Sequence, residues 1–325
     1  MKKLKQWSTT SFIIVMLAVT FPAVAHDREG YSQLVVFGDS LSDPGNFFTL
    51  TGQVSHVPYA LIPSAPYDRG GMHFTNGKTW IEQFAREIHL SAGPAYRAPN
   101  KFSNFAVGGA RARASGFLDL TTQVSSYLRQ GDTNTKAKKL VVIFIGGNDV
   151  RDAIESLAVD PSGTTSAAIL TEAITSLNNN LLALISAGAN EFLIANAPDL
   201  ALIPAIRYLG PQVQGAAHFF SAQFNQGLSA SLGALETAFP ITIHKLDVFS
   251  IFNNVAANPK EFDLSVVDTS CITPGVVVKA VCHKPDDYLF WDGIHPTQRG
   301  HEILADFAKQ VLIPKAKVRS VAQRH

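Results

Sequence analysis

The sequence predicts an α/β fold, a mainly parallel sheet covered by helices on both faces, and three observations predict it. Short β-branched runs recur along the chain, longer stretches with helical spacing lie between them, and no repeat or low-complexity linker breaks the alternation. Four runs read as strands, at residues 33–37, 140–145, 191–195 and 241–246. Over residues 166–187, Leu170, Ile174, Leu177, Leu181 and Leu184 recur at spacings of four and three, one apolar face, and Gly188 follows as a C-cap. Val213, Ala217, Phe220, Phe224, Leu228 and Leu232 make a second such face. Both stripes read as core rather than as cofactor-binding surfaces. Residues 59–74, rich in Pro, Gly and Tyr, read as a long surface loop. One domain is expected, over residues 26–312 of the exported chain.

Composition narrows the function classes. With 325 residues, 46% hydrophobic and 16% charged, the chain can bury a sizeable core and is not a disordered segment. Its 27 basic and 26 acidic residues give a net charge of +1, which removes the electrostatic case for a nucleic-acid partner. Residues 1–25 read as a signal peptide: Lys2, Lys3 and Lys5 precede an apolar run over 12–19 and the small-x-small site Ala23-Val24-Ala25. A membrane anchor is the competing reading, weakened by the Ser, Thr and Pro within 6–25. Cleavage before His26 would remove three lysines and no acid, taking the charge from +1 to −2. No later segment reads as long and apolar enough to span a bilayer, so a secreted protein is expected, periplasmic or extracellular. That compartment permits a disulfide between Cys271 and Cys282, which are too few to ligate a structural zinc. The tail, 313–325, carries Lys315, Lys317, Arg319 and Arg324 with no acid and reads as a frayed, solvated end.

Four segments carry the chemistry. In Gly38-Asp39-Ser40-Leu41-Ser42-Asp43 a serine follows a buried strand, at the carboxyl edge where parallel sheets build active sites; alone, it could equally be a helix cap. Asp292-Gly293-Ile294-His295-Pro296 sets an aspartate three residues before a histidine, so that one turn could hold both a base and the carboxylate that orients it. Asn104-Phe105-Ala106-Val107-Gly108-Gly109-Ala110 and Gly146-Gly147-Asn148-Asp149 could offer unobstructed N–H groups and a side-chain amide to a developing oxyanion. Each alone could be a tight turn. Asp39, Asp43 and Asn46 read as holding the Ser40 turn by hydrogen bonds rather than doing chemistry. The ten histidines form no metal-ligating pair, His301 reads as a helix-start residue, and no glycine cluster has a nucleotide-binding pattern, so neither metal nor cofactor is expected. The absence of Gly-x-Ser-x-Gly disfavours a nucleophile-elbow scaffold.

Taken in order, the four segments resemble blocks I, II, III and V of the GDSL, or SGNH, hydrolase superfamily, over roughly residues 33–312. The resemblance implies a flavodoxin-like three-layer α/β/α sandwich. It also implies Ser40 as nucleophile, Asp292 and His295 as the rest of the triad, and the Ser40 and Gly109 N–H groups with the Asn148 amide as oxyanion hole. Residues 67–80, Asn196-Ala197-Pro198-Asp199-Leu200 and Tyr288-Leu289-Phe290-Trp291 are similar to a bacterial secreted lipolytic branch of phospholipases, lysophospholipases and glycerophospholipid:cholesterol acyltransferases. Pro44 between Asp43 and Gly45, and Thr75 where serine is frequent, depart from its pattern. The resemblance implies a serine esterase acting on acyl esters of phospholipids, with water or an alcohol such as cholesterol as acceptor, in contact with a membrane or micelle surface. A carbohydrate or short-chain esterase is the alternative, and a non-catalytic surface-binding protein the alternative of another class. In this branch, disulfide loops such as 271–282 are associated with control by proteolytic nicking. The valines of this loop leave two readings, a lid or lipid-contacting loop and a hairpin packed on the core.

Overall fold

A computed structural model describes residues 30–53, 57–59, 72–116, 118–131 and 137–312. The expected signal peptide, the basic tail and most of the 59–74 loop lie outside the described residues. In chain order the elements are β1 (Gln33–Gly38), α1 (Asn46–Thr51), α2 (Trp80–Glu87), α3 (Leu120–Gln130), β2 (Lys139–Phe144), α4 (Gly147–Ser156), α5 (Thr164–Ser186) and β3 (Glu191–Ala195). There follow α6 (Pro204–Arg207), α7 (Pro211–Ala238), β4 (Thr242–Leu246), α8 (Val248–Ala257), β5 (Val266–Ser270), β6 (Tyr288–Phe290) and α9 (Gln298–Leu312). The four predicted strands lie within one residue of β1 to β4.

Strands β1-β2-β3-β4 form a parallel sheet in that order, with Val36 opposite Val142, Val142 opposite Leu193 and Leu193 opposite His244. Parallel strands need crossover connections, and the helices that supply them cover the faces. Helices α4, α5 and α7 pack on one another with α3 against α5, while α2 packs on α9, which gives three layers. Burial follows this plan: β1 and β2 are buried beyond their first residue, whereas edge strand β4 buries Ile243 and Leu246 and leaves the rest partly or fully exposed. A segment not legible as a strand continues the sheet beyond β1. Val36 N–H donates to Ser103 O at 2.9 Å, Phe105 N–H to Val36 O at 2.7 Å and Val107 N–H to Gly38 O at 3.1 Å.

Two expectations need correction, and one residue gains a role. Helix α5 is long and apolar enough, by length and composition alone, to cross a membrane, at a mean hydropathy of 1.2. Yet its Leu170, Ala173, Leu177, Leu181 and Leu184 are buried against neighbouring helices, as a core stripe should be. The loop predicted to lie on the surface ends inside the protein, with His73 and Phe74 buried. His301 is in the first turn of α9, but it is a core residue: it is buried and its Nδ1 accepts the Trp80 N–H at 3.2 Å, satisfying a donor at the start of α2. Burial pushes the His301 imidazole down to about 3, so it is neutral and free to accept.

A small second sheet was not anticipated. Parallel strands β5 and β6 carry the Cys271–Cys282 disulfide hairpin, in which Ile272 pairs antiparallel with Val281. Ile272 is buried with Cys271 and Trp291, whereas Val277 and Val278 are 61% and 76% exposed. The hairpin therefore anchors its base in the protein and leaves its tip in solvent.

Candidate active site

Strand β1 ends at Gly38, both of whose backbone polar groups are paired with one buried side chain: Gly38 N–H donates to Gln123 Oε1 at 2.9 Å and Gln123 Nε2 to Gly38 O at 2.8 Å. From that fixed end the chain turns through residues 39–42, Ser42 N–H reaching Asp39 O at 3.1 Å and Leu41 N–H reaching Asp39 Oδ1 at 3.0 Å. The turn carries Ser40 at the carboxyl edge of the sheet, where the sequence placed it. Asp43 accepts the N–H groups of Gly45, Asn46, Phe47 and Gly108, and Asn46 Nδ2 donates to Asn104 O and Ala106 O, so both residues stitch the serine turn to residues 104–108. Burial pushes the Asp43 carboxyl up to about 6, against those N–H donors that favour its charged form. Burial likewise pushes Asp39 up to about 7, against the Leu41 N–H and the nearby His295.

The 292–297 turn lies between β6 and α9 and is closed by Trp291 N–H to His295 O at 2.8 Å and Thr297 N–H to Leu289 O at 2.9 Å. Asp292 Oδ1 accepts the N–H groups of Ile294 and His295, each at 2.7 Å, and Oδ2 contacts His295 Nδ1 at 2.8 Å. A carboxylate can only accept, so the proton sits on Nδ1 and leaves Nε2 to accept the Ser40 hydroxyl, 2.8 Å away. Ser40, Asp292 and His295 are thus one hydrogen-bonded chain although 255 positions separate the first from the last. All three are buried.

The other two segments meet beside them. Gly109 has φ of +78°, a conformation that favours glycine, and a Cβ on Gly108 would run into the Phe74 ring. Among the described residues the N–H groups of Ser40 and Gly109 donate to no backbone carbonyl. Asn148 is the second residue of α4 and its Nδ2 donates to Ala110 O at 2.9 Å. An ion-pair cluster fastens the two segments together. Asp152 receives Arg111 Nε at 2.8 Å, Arg111 Nη2 at 2.9 Å and Arg113 Nη2 at 2.6 Å, Asp149 receives Ala112 N–H at 2.7 Å, and Arg111 Nη1 donates to the Gly109 carbonyl at 2.8 Å.

Residues 73–76, read from the sequence only as a branch marker, brace the histidine turn. The Phe74 ring lies 5.3 Å from that of His295, Thr75 Oγ1 donates to Pro296 O at 2.8 Å and Asn76 Oδ1 accepts Gln298 N–H at 2.7 Å. A cavity opens beside Ser40 and Asn148, its walls formed mainly by Leu41, Leu200, Ile203, Phe252, Phe290 and Ile294. Among the described residues no group of three or more His, Cys, Asp or Glu could hold a metal ion. The arrangement can do one kind of chemistry well: a serine hydroxyl aligned on a base, with N–H donors nearby and an apolar cavity alongside, suits attack on an acyl carbon.

The family model for GDSL-like lipases and acylhydrolases matches residues 34–308. A GDSL esterase/lipase, EXL2, of Arabidopsis thaliana is 26% identical over 84% of this chain and 86% of its own. A phosphatidylcholine-sterol acyltransferase of Aeromonas hydrophila is 28% identical over 82% of this chain and 72% of its own. Among solved structures, an acetylxylan esterase of Geobacillus stearothermophilus is 16% identical, over 90% of this chain and 98% of that one, with a TM-score of 0.46.

Proposed function

Starting from the premise that the chain belongs to the family of GDSL-like lipases and acylhydrolases, which the match over residues 34–308 establishes, we propose that it is a secreted serine hydrolase of phospholipid and lysophospholipid acyl esters. The observation that carries this reading is the unbroken line Ser40–His295–Asp292 opening on an apolar cavity. In the proposed reaction His295 Nε2 takes the Ser40 proton as Oγ attacks the acyl carbon, and Asp292 supports the imidazolium that results. The tetrahedral oxyanion is received by the N–H groups of Ser40 and Gly109 and the Asn148 amide. Collapse expels the alcohol, protonated by His295, and leaves an acyl-serine. Water, or an alcohol such as a sterol, then takes the acyl group.

The walls support the choice of substrate class. Leu41, Leu200, Ile203, Phe252 and Ile294 suit an acyl chain better than a sugar, whose hydroxyls would be left unpaired there. The exposed Val277 and Val278 on the disulfide hairpin suit contact with a lipid surface, and the hairpin is the place where a protease would nick. The disulfide is consistent with export. The experiment is product analysis by mass spectrometry with diacyl- and lysophospholipid, with and without cholesterol. Release of fatty acid, or of cholesteryl ester, supports the reading. No turnover of either lipid, with cleavage of acetylated sugars, would replace it with the carbohydrate alternative.

A further inference from the structure

Helix α4 divides its first two turns between two surroundings. Asp149 and Asp152 meet residues 111–113, whereas Gly147, Asn148 and Arg151 line the cavity beside Ser40, as residues three and four apart on a helix should. Three arginines stand around this acidic face and are not equally engaged. Arg111 and Arg113 are held at 2.6–3.0 Å by Asp149 and Asp152. Among the described residues Arg151 has Glu155 at 3.4 Å and Asp152 at 3.7 Å, with Asp39 near enough to feel its charge, and its buried Nε makes no hydrogen bond. Glu155 is 64% exposed, so that pairing is solvent-screened and weak.

The other charged groups on the cavity are spent. Asp39 is buried with Leu41 N–H on its carboxyl. Asp199 receives Ala201 N–H at 3.0 Å, Asn253 Nδ2 at 3.2 Å and His218 Nδ1 at 2.7 Å. Among the described residues lining the cavity, Arg151 is therefore the cation with donors to give, in a wall otherwise suited to hydrocarbon. Resting on the phospholipid reading above, we propose that Arg151 recognises the phosphodiester group of the substrate while the apolar walls take the acyl chain. A guanidinium fork matches two phosphate oxygens, and it lies about one helical turn, roughly 5 Å, along α4 from the Asn148 amide. A phosphate joined to the scissile ester through a glycerol backbone falls within that reach. A sugar acetate or a neutral glyceride offers the residue only uncharged oxygens, which bind a guanidinium more weakly than a phosphate does.

The test compares kcat/KM of wild type, Arg151→Met and Arg151→Lys on lysophosphatidylcholine and on the monoacylglycerol of the same acyl chain, both below their micellar thresholds. A ratio of two rates on one sample does not depend on the folded fraction, so a destabilised variant still reports. The lysophospholipid-to-monoacylglycerol ratio is expected to fall at least about tenfold in Arg151→Met, mainly through KM, and to recover in part in Arg151→Lys. Glycerophosphocholine, which has no acyl ester, should compete with monoacylglycerol in wild type and not in Arg151→Met. An unchanged ratio in an enzyme that cleaves both lipids overturns the role of Arg151 and leaves the phospholipid reading standing. A wild type that cleaves monoacylglycerol but not the lysophospholipid overturns both. Inorganic phosphate competing as well as glycerophosphocholine would assign the residue to a free anion instead of the head group.

Discussion

At the scale of single residues, the site separates groups that would make bonds with substrate from groups that hold them in place. Asn148 is proposed for the first set: on that proposal Asn148→Ala is expected to lower kcat by ~10²–10³ with a smaller change in KM, because its amide would be asked to bond more strongly only in the transition state. A change confined to KM in steady-state kinetics would make it a substrate-binding residue. Arg111 belongs to the second set, since it holds the Gly109 carbonyl and so restrains the residue whose own N–H lies in the adjoining peptide. Arg111→Met should reduce kcat by roughly tenfold or more without moving the pH profile, as displacement rather than lost chemistry would. Measured in an Asn148→Ala background, its loss should shrink, because both act on one oxyanion; simple additivity would separate them. Asp292→Asn should cost less than His295→Ala, because it weakens orientation and charge support without deleting the base.

How far such residues can be read from sequence depends on how local their partners are. The places of Ser40, Asn148, Asp292 and His295 in the fold were legible because each follows within a few residues of the end of a strand, marked by Gly, Asp or Pro. Gln123 and Thr75 were not. Their meaning lies in bonds to Gly38 and to Pro296, which stand 85 and 221 positions away, and nothing in the neighbouring residues announces those partners.

Among the elements, the legible ones were those whose burial is regular. Strands β1 and β2 are buried nearly throughout and read as β-branched runs, and α5 and α7 keep one apolar stripe. Strands β5 and β6 escaped because five residues without a buried one, and three of which the last two are buried, are too short and irregular to give a periodicity. Yet that small sheet ties the disulfide hairpin to the histidine turn: Ile272 N–H donates to Trp291 O at 2.9 Å, and Trp291 N–H to His295 O at 2.8 Å. The hairpin can then be tested in two parts. Removing the bridge with Cys271→Ser and Cys282→Ser is expected to cost about 3 kcal/mol in denaturant unfolding. Replacing the exposed Val277 and Val278 with serine should leave that stability nearly unchanged and lower activity on micelles more than on monomeric esters. Loss of thermal stability without any micelle-specific effect would return the valines to the core.

For the molecule as a whole, pH acts through side chains that the fold has removed from water. His301 ordinarily titrates near 6.5, and burial takes it down to about 3 in the folded chain. Between those values the unfolded chain binds the proton and the folded one does not, so His301 stabilises the fold fully above pH 6.5 and progressively less as pH falls toward 3. His301→Asn keeps an acceptor for the Trp80 N–H and has no such proton to bind. Its urea midpoint should therefore approach that of wild type as pH falls from 7 to about 4.5, whereas a constant gap would place the difference in packing alone. Asp39 and Asp43 act with the opposite sign. Their folded values, about 7 and about 6, lie above 3.8, so each favours the fold at acid pH and favours it less as pH rises through that window.

The central claim is that Ser40, aligned on His295, is the nucleophile of an ester hydrolase, and the most direct measurement is fluorophosphonate labelling read by intact-protein and peptide mass spectrometry alongside turnover. The account predicts one adduct, on the peptide that contains Ser40, with both adduct and lysophospholipid turnover lost in folded Ser40→Ala. An adduct on another residue, or a Ser40→Ala protein that keeps more than a few per cent of wild-type turnover, would contradict it.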